Sequence, residues 1–172
     1  LCIRLMRAAY FASKLGFAID DDCRRSMKEQ ASRLHIVSSE RVRDEFIKIL
    51  NTDKPSIGLV ILQKTGLMEM VFPEIHAMHG MDQTSEWHHK DVFAHTLQVV
   101  DNSAKLSDKM ELRFAALVHD IAKPITRRID EKKGYTFHGH DAIGEKMLDV
   151  VAKRMKLSND LRDYLKKLTL LH

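Results

Sequence analysis

The chain has 172 residues, with 28 Lys and Arg, 24 Asp and Glu, a formal net charge of +4 and 44% hydrophobic residues. This length allows one or two compact cores, and the composition excludes a collagenous or wholly disordered chain. No apolar run approaches the ~20 residues of a membrane-spanning helix, so we expect no membrane association. Two cysteines without metal-type spacing, and no signal peptide, predict a cytoplasmic protein.

Helical periodicity dominates the first half of the sequence. Apolar residues recur at helical spacing, and they are bounded by residues that commonly begin or end helices. The predicted boundaries are a stop at Gly16, acidic starts at Asp20 to Asp22, an N-cap at Ser38, a first-turn Pro55, a stop at Gly66 and a break at Pro73.

The second half also reads as helical, apart from residues 125–138. Alternating apolar residues on both sides of a glycine-containing loop predict a short hairpin there. We expect helices at about 90–105, 110–121, 141–156 and 158–172, the second of them capped by Asp108 together with Glu111. The sequence therefore predicts an all-α fold with one short β-hairpin, and the aperiodic residues 76–88 suggest a domain boundary.

The strongest candidate site combines His95 on one predicted helix with His119 and Asp120 at the end of the next. Adjacent His and Asp can offer an imidazole nitrogen and a carboxylate oxygen to one cation, and His95 can approach from the neighbouring helix. This donor set suits Mg²⁺, Mn²⁺, Fe, Ni²⁺ or Zn²⁺, and such an ion would activate water against phosphorus. Lys123 follows at a spacing that would reach the attacked phosphate. The alternative is that all four are ordinary polar residues.

His138 and His140 add two imidazoles at the start of a predicted helix. A helix N-terminus favours anions, so His140 would contact a phosphate or a second metal. Equally, Asp141 would cap the helix and leave both histidines on the surface. We take Asp120, Lys123 and His140 as the catalytic candidates.

Three further histidines are weaker candidates. His172 falls on the same helical stripe as Leu165 and should point inward, toward the site. His88 and His89, beside Trp87, would contact RNA by stacking or hydrogen bonds, or belong to a polar loop.

Basic residues concentrate at both ends of the chain. Residues 1–50 hold ten Lys and Arg against seven acids, and residues 151–172 hold six against two. Basic faces of this kind favour a polyanion such as RNA, although exposed helix charges and ion pairs explain them equally well. The RNA-binding candidates are Arg7, Arg24, Arg25, Arg41 and Arg43.

The His95, His119-Asp120 and Lys123 pattern resembles the HD superfamily of metal-dependent phosphohydrolases. The wider sequence resembles bacterial tRNA nucleotidyltransferases and poly(A) polymerases, in the members that carry a C-terminal HD domain. The segments that carry this resemblance are residues 4–17, 39–45, 54–58, 65–68, 72–74, 89–97, 115–124, 136–138 and 144–147.

This resemblance implies two parts. Residues 1–75 would be the neck and RNA-binding body, which holds tRNA, and residues 76–172 would be a C-terminally truncated HD domain. Full-length relatives add CCA, or part of it, to tRNA 3′ ends with a head domain that uses a Gly-Ser pair and two metal-binding carboxylates. The chain begins at Leu1 and contains no Gly-Ser dipeptide. We therefore interpret it as an excised fragment that does not polymerise.

Two departures from the family pattern affect the predicted sites. Arg4 matches the arginine that reads the incoming nucleotide, but its partner aspartate, three residues earlier, is replaced by Leu1. The HD metal cluster normally includes a later aspartate, and Asp160 and Asp163 come too early to supply it. We therefore expect a metal site with three ligands, in which His140 compensates for the missing aspartate.

Three functions compete at this point. In the first, the body binds tRNA and the HD domain hydrolyses phosphate esters on RNA ends or cyclic nucleotides. In the second, the HD fold is a catalytically silent scaffold within a tRNA-binding module. A nucleotide hydrolase unrelated to tRNA is the third, and residues 1–75 argue against it because the matching body segments would have no role there.

Overall fold

Helices make up most of the regular structure in the computed structural model, which describes residues 2–81 and 91–172. The hairpin is formed by β1 (Arg128–Asp130) and β2 (Gly134–Thr136), which pair antiparallel with Ile129 opposite Tyr135. The prediction of an all-α fold with one short hairpin is confirmed. The helices are α1 (Ile3–Leu15), α2 (Asp21–Gln30), α3 (Ser39–Leu50), α4 (Pro55–Lys64), α5 (Leu67–Val71), α6 (Pro73–His76), α7 (Val92–Leu106), α8 (Met110–Val118), α9 (Lys123–Thr126), α10 (His140–Met155) and α11 (Asn159–Leu171), with a 3₁₀ segment at Ala31–Ile36.

Local signals set several of these boundaries as predicted. Gly16 ends α1 in the left-handed conformation, with φ of 71°, which glycine adopts without a Cβ penalty. The side chains of Asp20 and Ser158 accept backbone N–H groups at the starts of α2 and α11. Pro55 occupies the first turn of α4, where its missing N–H costs nothing.

Two predicted caps are wrong. The residue before α8 is Lys109, and the Asp108 side chain lies fully in solvent instead of capping the helix. Gly139, with φ of 75°, precedes α10, so Asp141 lies inside the first turn. In both places the helix begins one or two residues away from the predicted aspartate cap. The direction in which the preceding segment reaches the helix decides which residue occupies the cap position.

The core runs through both predicted parts of the chain. The rings of Phe46, Phe72 and Phe114 contact one another, with centroids 5.9 to 6.3 Å apart, and all three are fully buried. Phe114 belongs to α8, whereas the other two precede residue 76. The division at residues 75 and 76 remains a prediction, since one apolar cluster joins the two sides.

Polar contacts also connect the two predicted parts of the chain. Arg113 on α8 is buried, and its Nη1 donates at 2.8 Å to the carbonyl oxygens of both Leu50 and Thr52. Arg154 on α10 makes a bidentate pair with Glu74, with both N–O distances at 2.6 Å. Such bidentate pairs fix geometry as well as charge. Among the described residues, no helix is both long and apolar enough to cross a membrane.

Candidate metal centre

Four of the predicted site residues lie where α7 passes the segment between α8 and α9. His95 is on α7, and His119 is the first residue after α8. Asp120 follows in the turn, and Lys123 begins α9. The sequence placed the His-Asp pair inside a helix that ran to residue 121. The helix ends at Val118 instead, and the turn points both side chains toward α7.

The predicted triad of His95, His119 and Asp120 converges. One ligand atom from each lies within 4.8 Å of the other two. Asp120 Oδ2 is 3.1 Å from His119 Nε2 and 3.7 Å from His95 Nε2. The three side chains can therefore face a single ion.

A second group forms on the other oxygen of the same carboxylate. Asp120 Oδ1 is 3.6 Å from Nε2 of His140, the first residue of α10, and 3.5 Å from Nε2 of His172, just past α11. The two Nε2 atoms are 3.2 Å apart. His172 was a weak candidate by sequence, although its position on the apolar stripe of α11 indicated that it points inward.

Close packing of α10 brings this second group together. A Cβ atom on Gly144 would lie 3.0 Å from Cγ2 of Thr169 and 3.3 Å from Cγ2 of Ile121. Glycine therefore lets α10 approach both α11 and the turn that holds Asp120. This approach places the start of α10 beside the end of α11.

The Nδ1 atoms of three histidines are already engaged. Nδ1 of His119, His140 and His172 lies 2.6 to 2.7 Å from the carbonyl oxygen three residues earlier. A carbonyl oxygen only accepts, so each Nδ1 donates a proton and Nε2 keeps its lone pair in the neutral ring. The tautomer needed for metal binding through Nε2 is therefore set by the backbone.

Asp120 is the buried acid of the cluster, with 2% of the residue exposed. Burial raises the pKa of its carboxyl. A hydrogen bond and positive charge from His119 in its protonated form, together with the same contributions from Lys123, outweigh burial, so its pKa lies well below the ordinary value. Lys123 Nζ is 2.8 Å from Oδ2. The carboxylate is thus ionised at neutral pH and offers an anionic ligand.

The donor set fits a divalent cation. Two imidazole nitrogens and one carboxylate oxygen meet in each group, a combination that suits Mn²⁺, Fe²⁺, Ni²⁺ or Zn²⁺. The described side chains supply three ligands per group, which leaves positions for water or a phosphate oxygen. Asp160 and Asp163 are exposed on α11, as predicted, and lie in neither group.

Two protein-family profiles match the chain. The first, described as "Probable RNA and SrmB- binding site of polymerase A", matches residues 16–78. The second, described as "HD domain", matches residues 92–172.

Three similar proteins are each named Multifunctional CCA protein. The proteins of Vibrio campbellii, Psychromonas ingrahamii and Shewanella denitrificans are 36%, 35% and 34% identical to the chain, over 94% of its length. The chain fits the CCA-adding family. It spans about two fifths of the length of these relatives, since the matches cover 40% of each.

The arginines predicted to bind RNA differ in their surroundings. Arg7 pairs with the buried Glu45 at 3.2 Å, and Arg43 donates to the carbonyl oxygen of Lys156 at 2.6 Å. These two hold parts of the fold together in addition to any role with RNA. Arg24, Arg25 and Arg41 are exposed, and Arg7 is exposed despite its ion pair.

Arg113 is a buried cation that the sequence did not single out as a candidate. Arg113 sits on the apolar face of α8, between Met110 and Leu117, and this unusual position was the available signal. Trp87, His88 and His89 lie outside the described residues.

Proposed function

We propose that this chain binds tRNA through residues 1–75 and hydrolyses a phosphate ester, on an RNA end or a cyclic nucleotide, through residues 76–172. The observation that carries the hydrolase is the convergence of His95, His119 and Asp120 on one point. The family resemblance and the relatives' printed name support the tRNA part. We also propose that the chain acts in the cytoplasm.

In this proposal His95, His119 and Asp120 hold a divalent ion. When bound, the ion supplies Lewis acidity toward a phosphoryl oxygen and lowers the pKa of a coordinated water. Lys123 and His140 border the same carboxylate at 2.8 and 3.6 Å, so they are placed to stabilise charge that grows on the phosphoryl oxygens.

The reaction on a 2′,3′-cyclic phosphate consumes one water. A water oxygen forms a bond to phosphorus, and the bond from phosphorus to one ribose oxygen breaks. The proton lost by the water passes to the departing ribose oxygen. The product is a 2′- or 3′-phosphomonoester, with no oxidant or co-reactant needed.

The test compares Asp120→Ala with His35→Ala on 2′,3′-cyclic AMP in the presence of Mn²⁺ or Ni²⁺. His35 makes the same Nδ1 bond to a carbonyl three residues earlier, but it belongs to neither ligand group. We expect Asp120→Ala to lose at least about 100-fold in turnover, since it removes a ligand, and His35→Ala to keep it. Equal turnover in wild type and Asp120→Ala would reject the hydrolase.

A silent HD scaffold is the second candidate, and one contact favours it. Lys123 Nζ at 2.8 Å from Asp120 Oδ2 already neutralises the carboxylate, as a bound cation would. The Lys123→Met variant distinguishes the hydrolase from the silent scaffold. The hydrolase predicts tighter metal binding with slower turnover in this variant, whereas the scaffold predicts that wild type and variant alike show no turnover.

The tRNA part is tested by the salt dependence of binding. Each phosphate contact made by an arginine contributes about 0.7 to 0.9 to the slope of log affinity against log salt concentration. Arg41→Ala should therefore flatten the slope by about that amount. Lys132→Ala removes the same charge from the exposed hairpin turn and should leave the slope unchanged. Binding that is independent of salt would contradict a phosphate-backbone mode.

A proposed role for Arg4 in nucleotide binding rests on the family resemblance alone. Arg4 is exposed on α1, so a nucleotide could reach it. Weaker ATP or CTP binding by Arg4→Ala, measured by calorimetry with Lys132→Ala as the control, would support this role.

A further inference from the structure

A cavity of about 170 Å³ opens where the first part of the chain meets the end of α10. Its walls come from the 3₁₀ segment, the start of α3, α5 and the last turn of α10. We infer that this cavity binds a single nucleobase, and that its size favours a pyrimidine. The inference rests on the proposed binding of tRNA, which is one source of such a base.

Most of the cavity wall is apolar. The apolar side chains that line it are Leu34, Val37, Val42, Met70, Val71 and Met155. An apolar cavity of about 150 Å³ holds one benzene ring. One six-membered ring therefore fits inside, whereas the second ring of a purine would extend into the opening. The two methionines can adjust to such a ring, because their side chains are unbranched and polarisable.

Two guanidinium groups complete the wall, and other contacts already hold both of them. Arg43 donates from Nε to Asp44 at 3.0 Å and from Nη1 to the Lys156 carbonyl oxygen at 2.6 Å. Arg154 makes its bidentate pair with Glu74. These contacts balance both charges and engage donors in the plane of each guanidinium. The two groups therefore offer a ligand mainly their flat faces, and nucleobases stack on such faces.

Polar groups at the opening suit the edge of a base. His35 and Ser39 are exposed and line the cavity. Nδ1 of His35 lies 2.5 Å from the Ser32 carbonyl oxygen, so Nδ1 donates and Nε2 accepts in the neutral ring. The Ser39 hydroxyl can donate or accept. A pyrimidine has N–H and C=O groups for these partners, whereas an aliphatic side chain of a peptide would leave them unused.

The position of the cavity in the sequence also supports a nucleobase. Eight of the ten residues that line it fall within residues 16–78, the segment that matches the RNA-binding profile of polymerase A. The other two, Arg154 and Met155, belong to α10. An RNA strand on the first part of the chain would thus insert one unstacked base beside α10.

Methionine ε-methyl groups report on this cavity directly. Met70 and Met155 line it, whereas Met110 and Met147 do not. In the 172-residue chain labelled with ¹³C at these methyl groups, uridine monophosphate should shift the NMR signals of the first two and leave those of the last two in place. Adenosine monophosphate at the same concentration should shift them less, because one purine ring stays outside.

Two substitutions test the cavity from different sides. Val42→Phe fills it, and Arg43→Lys keeps the charge but removes the flat face. Each should weaken the affinity for uridine monophosphate about tenfold, the order expected for the loss of one stacking contact. Val150→Phe adds the same ring to an exposed part of α10 outside the cavity and should keep the wild-type affinity, as should Arg4→Ala. Far-UV circular dichroism checks that each variant keeps its helices.

A short oligouridine distinguishes a base within RNA from a free nucleotide. Methyl shifts at lower concentrations of the oligouridine than of uridine monophosphate identify RNA as the source, and the opposite order identifies the nucleotide. Either order upholds the cavity. The absence of shifts with both probes, or full affinity in both Val42→Phe and Arg43→Lys, overturns it.

The outcomes also separate this inference from the proposed binding of tRNA. Salt-dependent tRNA binding without methyl shifts at Met70 and Met155 would reject the cavity and leave the proposed function in place. Methyl shifts in a chain that does not bind tRNA would uphold the cavity and reject the tRNA part of the proposal.

Discussion

Arg113 shows how one residue can join distant segments. Its side chain is 4% exposed, and its guanidinium donates to the carbonyl oxygens of Leu50, Thr52, Ala104 and Ser107. These carbonyls lie at the ends of helices or in loops, and the last carbonyls of a helix have no partner within the helix. One buried cation thus satisfies acceptors from both predicted parts of the chain.

Arg113→Met should therefore destabilise the protein strongly. The methionine fills similar volume but leaves several carbonyls without a donor, and we expect a loss of more than about 3 kcal/mol in the free energy of unfolding. Urea denaturation measures it. Arg128→Met, in the exposed first strand, should change stability by no more than about 0.5 kcal/mol. Similar midpoints for the two variants would contradict this role.

The histidines of the candidate metal centre also join segments that are distant in the sequence. The His119-Asp120 pair is adjacent in sequence, and its role as a candidate ligand pair needed no structure. His172 was the residue that sequence analysis underweighted. Its Nε2 reaches Asp120 only because α11 ends beside the start of α10.

Gly58 allows α4 to pack closely against two neighbouring helices. Gly58 on α4 faces α1 and α3, and a Cβ there would lie 2.6 Å from Cγ2 of Ile49 and 3.2 Å from the Ala9 carbonyl oxygen. Both distances are short for van der Waals contact. The residue type at this position therefore decides how tightly α4 packs against α1 and α3.

Gly58→Ala should destabilise the protein by about 1–3 kcal/mol, because the core must shift to admit the methyl group. In an Ile49→Ala background the nearest clash is removed, so the same substitution should cost at least about 1 kcal/mol less. Thermal unfolding of the four proteins in this cycle gives the coupling. Equal costs in both backgrounds would show that Ile49 is not the source of the strain.

Asp101 links two elements through a helix terminus. Its carboxylate accepts from the Ser56 backbone N–H at 2.9 Å and from the Ser56 hydroxyl at 2.6 Å. The α7 side chain thereby serves the first turn of α4, where backbone N–H groups lack partners.

Asp101→Ala should lower the free energy of unfolding by about 1–2 kcal/mol, the range found when a helix loses its cap. Glu131→Ala removes the same charge from the exposed hairpin turn and should have little effect on the urea midpoint. A loss in Glu131→Ala as large as that in Asp101→Ala would point to net charge as the cause.

At the scale of the whole molecule, the aromatic cluster and the Arg154–Glu74 pair cross the predicted boundary. Shared core contacts of this kind couple the unfolding of the parts they join. We expect far-UV and near-UV circular dichroism to report one coincident urea transition. Two separate transitions would instead support independent domains at residues 1–75 and 76–172.

Arg154→Met tests the same coupling. It removes a partly exposed bidentate pair, so we expect the single transition to shift to lower urea by the equivalent of about 1 kcal/mol without dividing in two. The Lys132→Met variant, from the exposed hairpin turn, should leave the midpoint in place.

The sequence by itself determined the helical class, the hairpin and most helix ends, because these depend on residues a few positions apart, as at Gly16, Pro55 and Ser158. It also indicated the His119-Asp120 pair. The tertiary structure decided the caps at Lys109 and Gly139 and the division of Asp120 between two groups of histidines. These features depend on how α10 packs against α11 and against the turn after α8, and periodicity within one helix carries no information about such an approach.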